Sequence, residues 1–224
     1  MFKMYKLSLS ILKTAYYLSL SYAIYLMILI TVQYIPIRFD VAFLNIKQEE
    51  IVYTHYKVAF FSHVYTSIFA LICGVTQFSK FVRNKFPKTH RALGKAYIGI
   101  VLLVASPSGL VMAFYANGGS YSKISFLIQA VLWFLFTYKA FAYAKNLDWL
   151  NHQKFMIRSY VLTLSAISLR LFKWIIISSF HLPPMDTYKI VSWAGWLINI
   201  AIVEIYIFTN LPSKRSLEVS EINN

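Results

Sequence analysis

Six ionisable side chains lie inside apolar runs of this chain: His63, Lys139, Arg158, Arg170, Lys173 and Glu204. Such groups are costly in hydrocarbon and turn towards the interior of a helix bundle, towards water or towards a ligand. Lys139 and Lys173 lie near the ends of their runs, where a long stem lets the ammonium reach the interface. The others, with neighbouring polar residues, fall into two layers. An outer layer holds His63, Gln129 and Arg170. Its histidine reads either as a neutral imidazole bonded to Gln129 or to a backbone carbonyl, or as a ligand, a proton relay or a cofactor contact.

The inner layer sits where two runs begin. One start reads Pro87-Lys88-Thr89-His90-Arg91 and the other Asn151-His152-Gln153-Lys154, with Arg158 further in. Thr89 and Asn151 are expected N-caps. Helix N-termini offer free N–H groups and positive dipole ends, so His90, Arg91, His152 and Arg158 are expected to form one anion site. The anion would be a phosphate, a carboxylate or a cofactor propionate, with Glu204 neutralising Arg158. The plainer account is that these bases only orient the chain in the bilayer.

His63, His90 and His152 are also candidate metal ligands. A bis-His haem needs both histidines at matching depth on facing helices. His63 has no histidine at its depth, whereas His90 and His152 share one near the interface. Haem on a single histidine, or a transition metal such as copper, stays open. No GxSxG, HExxH, P-loop or GxGxxG motif occurs, and acids at membrane depth are too few for paired-carboxylate chemistry. No catalytic residue is assigned; an enzyme built on these residues would be a membrane oxidoreductase.

The elements that carry these residues follow from composition. Of 224 residues, 58% are hydrophobic and 13% charged, and the mean hydropathy is +0.57. Soluble domains run about 45–50% apolar and about 25% charged. A soluble enzyme, a disordered tail and a disulfide scaffold are thereby excluded, and the single cysteine, Cys73, has no partner in the chain. Six runs, near 12–33, 57–80, 95–116, 124–144, 156–180 and 190–211, are long enough to cross about 30 Å of hydrocarbon. The chain is therefore expected to be an all-α integral membrane protein, a bundle of about six transmembrane helices. It reads as a single multi-pass domain over 1–224 with a polar tail at 212–224. The first run follows Lys3, Lys6 and Lys13 like a signal peptide, but it is too long and lacks a small-x-small cleavage site, so it is expected to be retained.

Lys and Arg number 22 against 8 Asp and Glu, giving a net charge of +14. These bases do not mark a nucleic-acid surface, because they crowd into alternate loops. Fifteen of them fall in the N-terminal arm, in the 80–95 and 139–158 regions and in the tail at Lys214 and Arg215. Positive residues stay inside, so both termini are expected in the cytoplasm, with a bacterial inner membrane as the location and the lipid bilayer as the partner. In the third run Ala105, Gly109 and Ala113 recur every four residues, a stripe that admits a close neighbour. Pro107 beside it weakens the local backbone ladder.

Three stretches carry a family resemblance: His63 with Gly74-Val75-Thr76-Gln77-Phe78; His90-Arg91-Ala92-Leu93-Gly94-Lys95-Ala96-Tyr97; and His152-Gln153-Lys154-Phe155-Met156-Ile157-Arg158-Ser159-Tyr160, continuing to Leu169-Arg170-Leu171. Over about 57–175 the chain resembles an uncharacterised family of predicted bacterial membrane proteins, domain of unknown function 2306. Phe155 stands where that pattern has Trp. The resemblance implies a multi-pass membrane protein and no activity. Three functions remain open. They are binding or transport of a small anion, a haem or metal redox or redox-assembly role, and a structural subunit. No inverted repeat of the transporter kind is visible.

Overall fold

The computed structural model describes residues 2–211, with side chains from Ile11 onwards. Lys214 and Arg215 lie outside the described residues, as do the side chains of Lys3 and Lys6. Among the described residues no strand occurs, and six helical stretches are long and apolar enough to cross a membrane. They are Ile11–Val32, Thr54–Gln77, Pro87–Phe114, Gly119–Lys145, Trp149–Phe180 and Pro184–Asn210. Apolar runs of this length take helical form because hydrocarbon offers no other partner for backbone N–H and C=O groups.

The third, fifth and sixth of these helices begin well before the apolar runs that reveal them, at Pro87, Trp149 and Pro184 rather than near 95, 156 and 190. Their first turns are polar, and helical geometry there is decided by capping rather than hydropathy. The caps also differ from expectation. At the fifth helix Asp148 is the N-cap, accepting from the Asn151 N–H (3.1 Å), while the Asn151 amide donates to its other oxygen (2.8 Å). At the third helix Pro87 occupies the first turn, where its missing N–H costs nothing, and no side chain caps the helix. Thr89 and Asn151 therefore lie within their helices.

The chain divides into two compact units, Met1–Lys57 and Val58–Asn224. The first holds α1 (Phe2–Val32) and two short 3-10 turns, Ala42–Ile46 and Glu50–Val52. Leu44 is fully buried, Tyr34 is buried with its hydroxyl accepting from the Phe43 N–H, and the Gln48 amide donates to the Phe39 and Leu44 carbonyls. Lys47, only 1% exposed, reaches Glu50 at 2.6 Å. A lysine this deep is costly to bury without such a partner.

The helix α2 (Thr54–Gln77) runs from the first unit into the second. There follow α3 (Lys80–Lys85), α4 (Pro87–Ile100), α5 (Ser106–Phe114), α6 (Gly119–Lys145), α7 (Trp149–Phe180) and α8 (Pro184–Asn210). Short connections make the long consecutive helices antiparallel neighbours. Within the second unit α7 packs against α6 and α8, and α6 also meets α5 and α8. Small residues set the closest approaches: a Cβ on Gly74 of α2 would overlap the Tyr160 ring of α7, and one on Gly195 of α8 would meet the Leu169 backbone.

Between α4 and α5 the ladder widens to a π-helical turn over Val101–Ala105, where the Ser106 N–H reaches the Val101 carbonyl. Such turns place one extra residue in the helix. Pro107 follows directly, so the weakened ladder expected from the sequence takes this form. A layer of hydroxyls lies at the centre of the bundle. Tyr97 Oη is 2.8 Å from both Ser159 Oγ and Thr163 Oγ1, Trp133 Nε1 donates to Thr163 Oγ1 (3.1 Å), and Thr137 Oγ1 is 2.6 Å from Ser159 Oγ. All five residues are buried, and they join α4, α6 and α7.

Candidate functional site

The basic end of the second unit gathers the starts of α4 and α7 with the ends of α2, α6 and α8. Gln77, at the end of α2, is oriented by its neighbours: its amide donates to the His90 carbonyl (3.3 Å) and accepts from the Gly94 N–H (3.3 Å). Gly74, one turn earlier, leaves room for Tyr160. Three stretches far apart in sequence, 74–78, 90–97 and 152–160, thus meet at one level of the bundle.

The two histidines there are held differently. His152 Nδ1 lies 2.8 Å from the Ala140 carbonyl, which can only accept, so this nitrogen carries a proton. His90 Nδ1 is buried with no hydrogen-bond partner, a costly arrangement for a polar atom. His152 and Arg83 both lie within electrostatic reach of His90. Arg91, the next residue, is exposed.

Arg158 does not join them as a free cation. Its Nε and Nη2 donate to the two carboxylate oxygens of Glu204 at 2.6 and 2.7 Å, a bidentate pair tying α7 to α8. The guanidinium also lies over the Phe155 ring at 5.0 Å, with Lys139 over the same ring at 5.3 Å. Of the four side chains expected to share an anion, His90 and His152 lie within electrostatic reach of one another, and Arg91 follows His90 in the chain and is exposed. The fork of Arg158 is taken. So is the α7 N-terminus, where the carboxylate of Asp148 already receives an N–H.

At the other end His63 does not bond Gln129. Its Nδ1 lies 2.7 Å from the Ala105 carbonyl and 3.4 Å from Ser108 Oγ, and its ring meets Trp133 edge-on with centroids 6.4 Å apart. Gly109 is required here, since a Cβ would come within 3.0 Å of the imidazole. Arg170 is exposed, donates from Nη1 to the Ala166 carbonyl (2.8 Å) and lies within electrostatic reach of His63. His63, His90 and His152 do not converge: among the described residues no group of three His, Cys, Asp or Glu is placed to hold a metal ion.

Residues 60–207 match a family model described as a predicted membrane protein, DUF2306. The chain belongs to this family. No curated protein and no solved structure matches it. The DUF2306 match extends past the 57–175 stretch legible in the motifs and takes in α8, including Glu204. It thus takes in both histidine layers. Sequence reasoning passed over Asp148, Tyr97 and Ser108 as working residues. For Asp148 a signal existed, an acid three residues before Asn151 at the head of an apolar run. Nothing in a single sequence announces that the Tyr97 hydroxyl lands between Ser159 and Thr163.

Proposed function

We propose that this multi-pass membrane protein binds a small anionic group at the basic end of its helical bundle. His90, His152 and Arg91 supply the site, and Arg158 with Glu204 braces the helices behind it. The observation that carries the reading is the buried, unpartnered Nδ1 of His90 beside His152 and Arg83. A protonated imidazole there acquires a partner and a counter-charge when an anion enters. The test is calorimetric titration of the protein in lipid nanodiscs with orthophosphate and with succinate. Saturable binding of one of them, weakened at least tenfold in His90→Phe and in Arg91→Gln, is the expected result. No saturable binding of either, or binding untouched by both substitutions, removes the reading.

A second reading, a haem-binding redox or redox-assembly protein, is favoured by a different observation. The Nδ1–H of His152 is spent on the Ala140 carbonyl, which leaves Nε2 aimed as a ligand in the way that metal-bound histidines are held. Haem brings its own four nitrogens, so it needs no cluster of three protein ligands. A Soret band in the purified protein, lost in His152→Ala, would select this reading.

The basic end is proposed to face the cytoplasm of a bacterial inner membrane, from the crowding of Lys and Arg into the 80–95 and 139–158 regions. A periplasm-dependent reporter should be silent after Asn224 and active near Gly118.

A further inference from the structure

The strongest unassigned feature lies at the opposite level, around His63. The chain departs from regular helix immediately before it: the π-helical turn Val101–Ala105 and Pro107, which has no N–H to donate, disturb the ladder where His63 docks. The Ala105 carbonyl accepts from His63 Nδ1 at 2.7 Å, and Ser108 Oγ, which also contacts that carbonyl at 3.2 Å, flanks it. A carbonyl cannot donate, so the Nδ1 proton is fixed and the lone pair of the imidazole stands on Nε2. Gly109 gives the ring its seat. Turn, proline, serine and glycine thus act together to hold one imidazole in one tautomer.

No described residue donates to Nε2. A bare acceptor at membrane depth costs free energy until something donates to it. His63 is part-buried as a residue, and a donor to Nε2 would have to come from outside the described residues. Its surroundings describe that donor. The Trp133 ring stands edge-on to the imidazole, centroids 6.4 Å apart at 72°, which favours a flat apolar body. The charge of Arg170 is within reach and favours an oxygen that gains negative character as its proton is shared. His63 lies within a helix long and apolar enough to cross a membrane, which favours a molecule that partitions into lipid.

We propose that His63 Nε2 is the acceptor of a second binding site, for a lipid-soluble aromatic molecule bearing a donor hydroxyl, of the phenol or hydroquinone class. The site is independent of the basic end and of what binds there. It distinguishes a hydroquinone from its quinone, because only the first can donate to Nε2.

The experiment uses the full-length protein in nanodiscs and follows quenching of Trp133 emission, identified by its loss in Trp133→Phe. Three probes of one shape are compared: tetramethylhydroquinone, its dimethyl ether and tetramethylquinone. The hydroquinone is expected to bind at least tenfold tighter than either of the others. Two substitutions then separate the halves of the imidazole. His63→Asn keeps an N–H donor for the Ala105 carbonyl but leaves no acceptor at the Nε2 position, its own amide oxygen lying closer to the backbone, and should lose the preference. His63→Gln keeps an acceptor near the Nε2 position and should retain part of it. Equal binding of all three probes by the wild-type protein, or an undiminished preference in His63→Asn, overturns the proposal and leaves Nε2 to water.

Discussion

The hydroxyl layer at the centre of the bundle and the imidazoles on either side of it are built from the same material, polar side chains on apolar helices, and are finished differently. Around Tyr97 every hydroxyl has at least one partner within 2.8 Å, and the group is sealed. At His63 and His90 a ring nitrogen is left over: Nε2 on the first, Nδ1 on the second. Satisfied polar groups in a membrane lock helices together and fix their register. Unsatisfied ones carry a standing cost that a ligand relieves. The difference separates a girdle that holds α4, α6 and α7 from the two places proposed above as ligand sites.

The Arg158–Glu204 pair tests that division hardest, since it sits at the basic end yet is fully paired. If it belongs to the locking group, Arg158→Met should cost about 1 kcal/mol, since Glu204 is 45% exposed and its carboxylate keeps some solvation. Arg158→Met with Glu204→Leu should recover most of the loss, measured as thermal unfolding in nanodiscs. Next, Tyr97→Phe should cost about 1–3 kcal/mol, because Ser159 and Thr163 each lose a partner in a sealed layer. A shift in melting temperature with unchanged ligand binding is the expected signature. His90→Phe should do the reverse: stability within about 0.5 kcal/mol of the parent, since no hydrogen bond of the ring is lost, but weakened anion binding.

The smallest effect concerns the loop after α1. The Arg38 guanidinium, hydrogen-bonded to Asp40 at 2.9 and 3.1 Å, holds that carboxyl below the ordinary carboxylate range. The folded pKa is depressed, so the pair's contribution is present above the unfolded value of about 4 and is lost as pH falls through the lowered one. An NMR titration should find Asp40 protonating at lower pH in the parent than in Arg38→Gln.

The bundle was legible because hydropathy reports burial in lipid directly: six apolar runs became six helices. Their polar first turns were not, because a cap such as Asp148 acts through one hydrogen bond that no average over a window records. At the sites, residue types were visible and partners only in part. Rarity at membrane depth marked His63, Arg158 and Arg170, and the starts of two apolar runs marked His90 and His152. The sequence named Glu204 as the partner of Arg158, but it could not choose between a backbone carbonyl and Gln129 for His63, because that depends on helix rotation. Rotation is set by contacts such as Gly74 on Tyr160 that join positions 86 residues apart.

The π-helical turn at Val101–Ala105 has one more consequence, in the arithmetic of insertion and deletion. A regular helix advances about 100° per residue at 3.6 residues per turn, so one residue more or fewer re-aims everything downstream. Leu103 is 78% exposed and is the member of the turn most easily spared. The wide turn absorbs one such residue: removing Leu103 would restore ordinary pitch while Ser108 and Gly109 kept close to their present aim at His63, whereas a deletion in the regular helix on either side would turn them away from it.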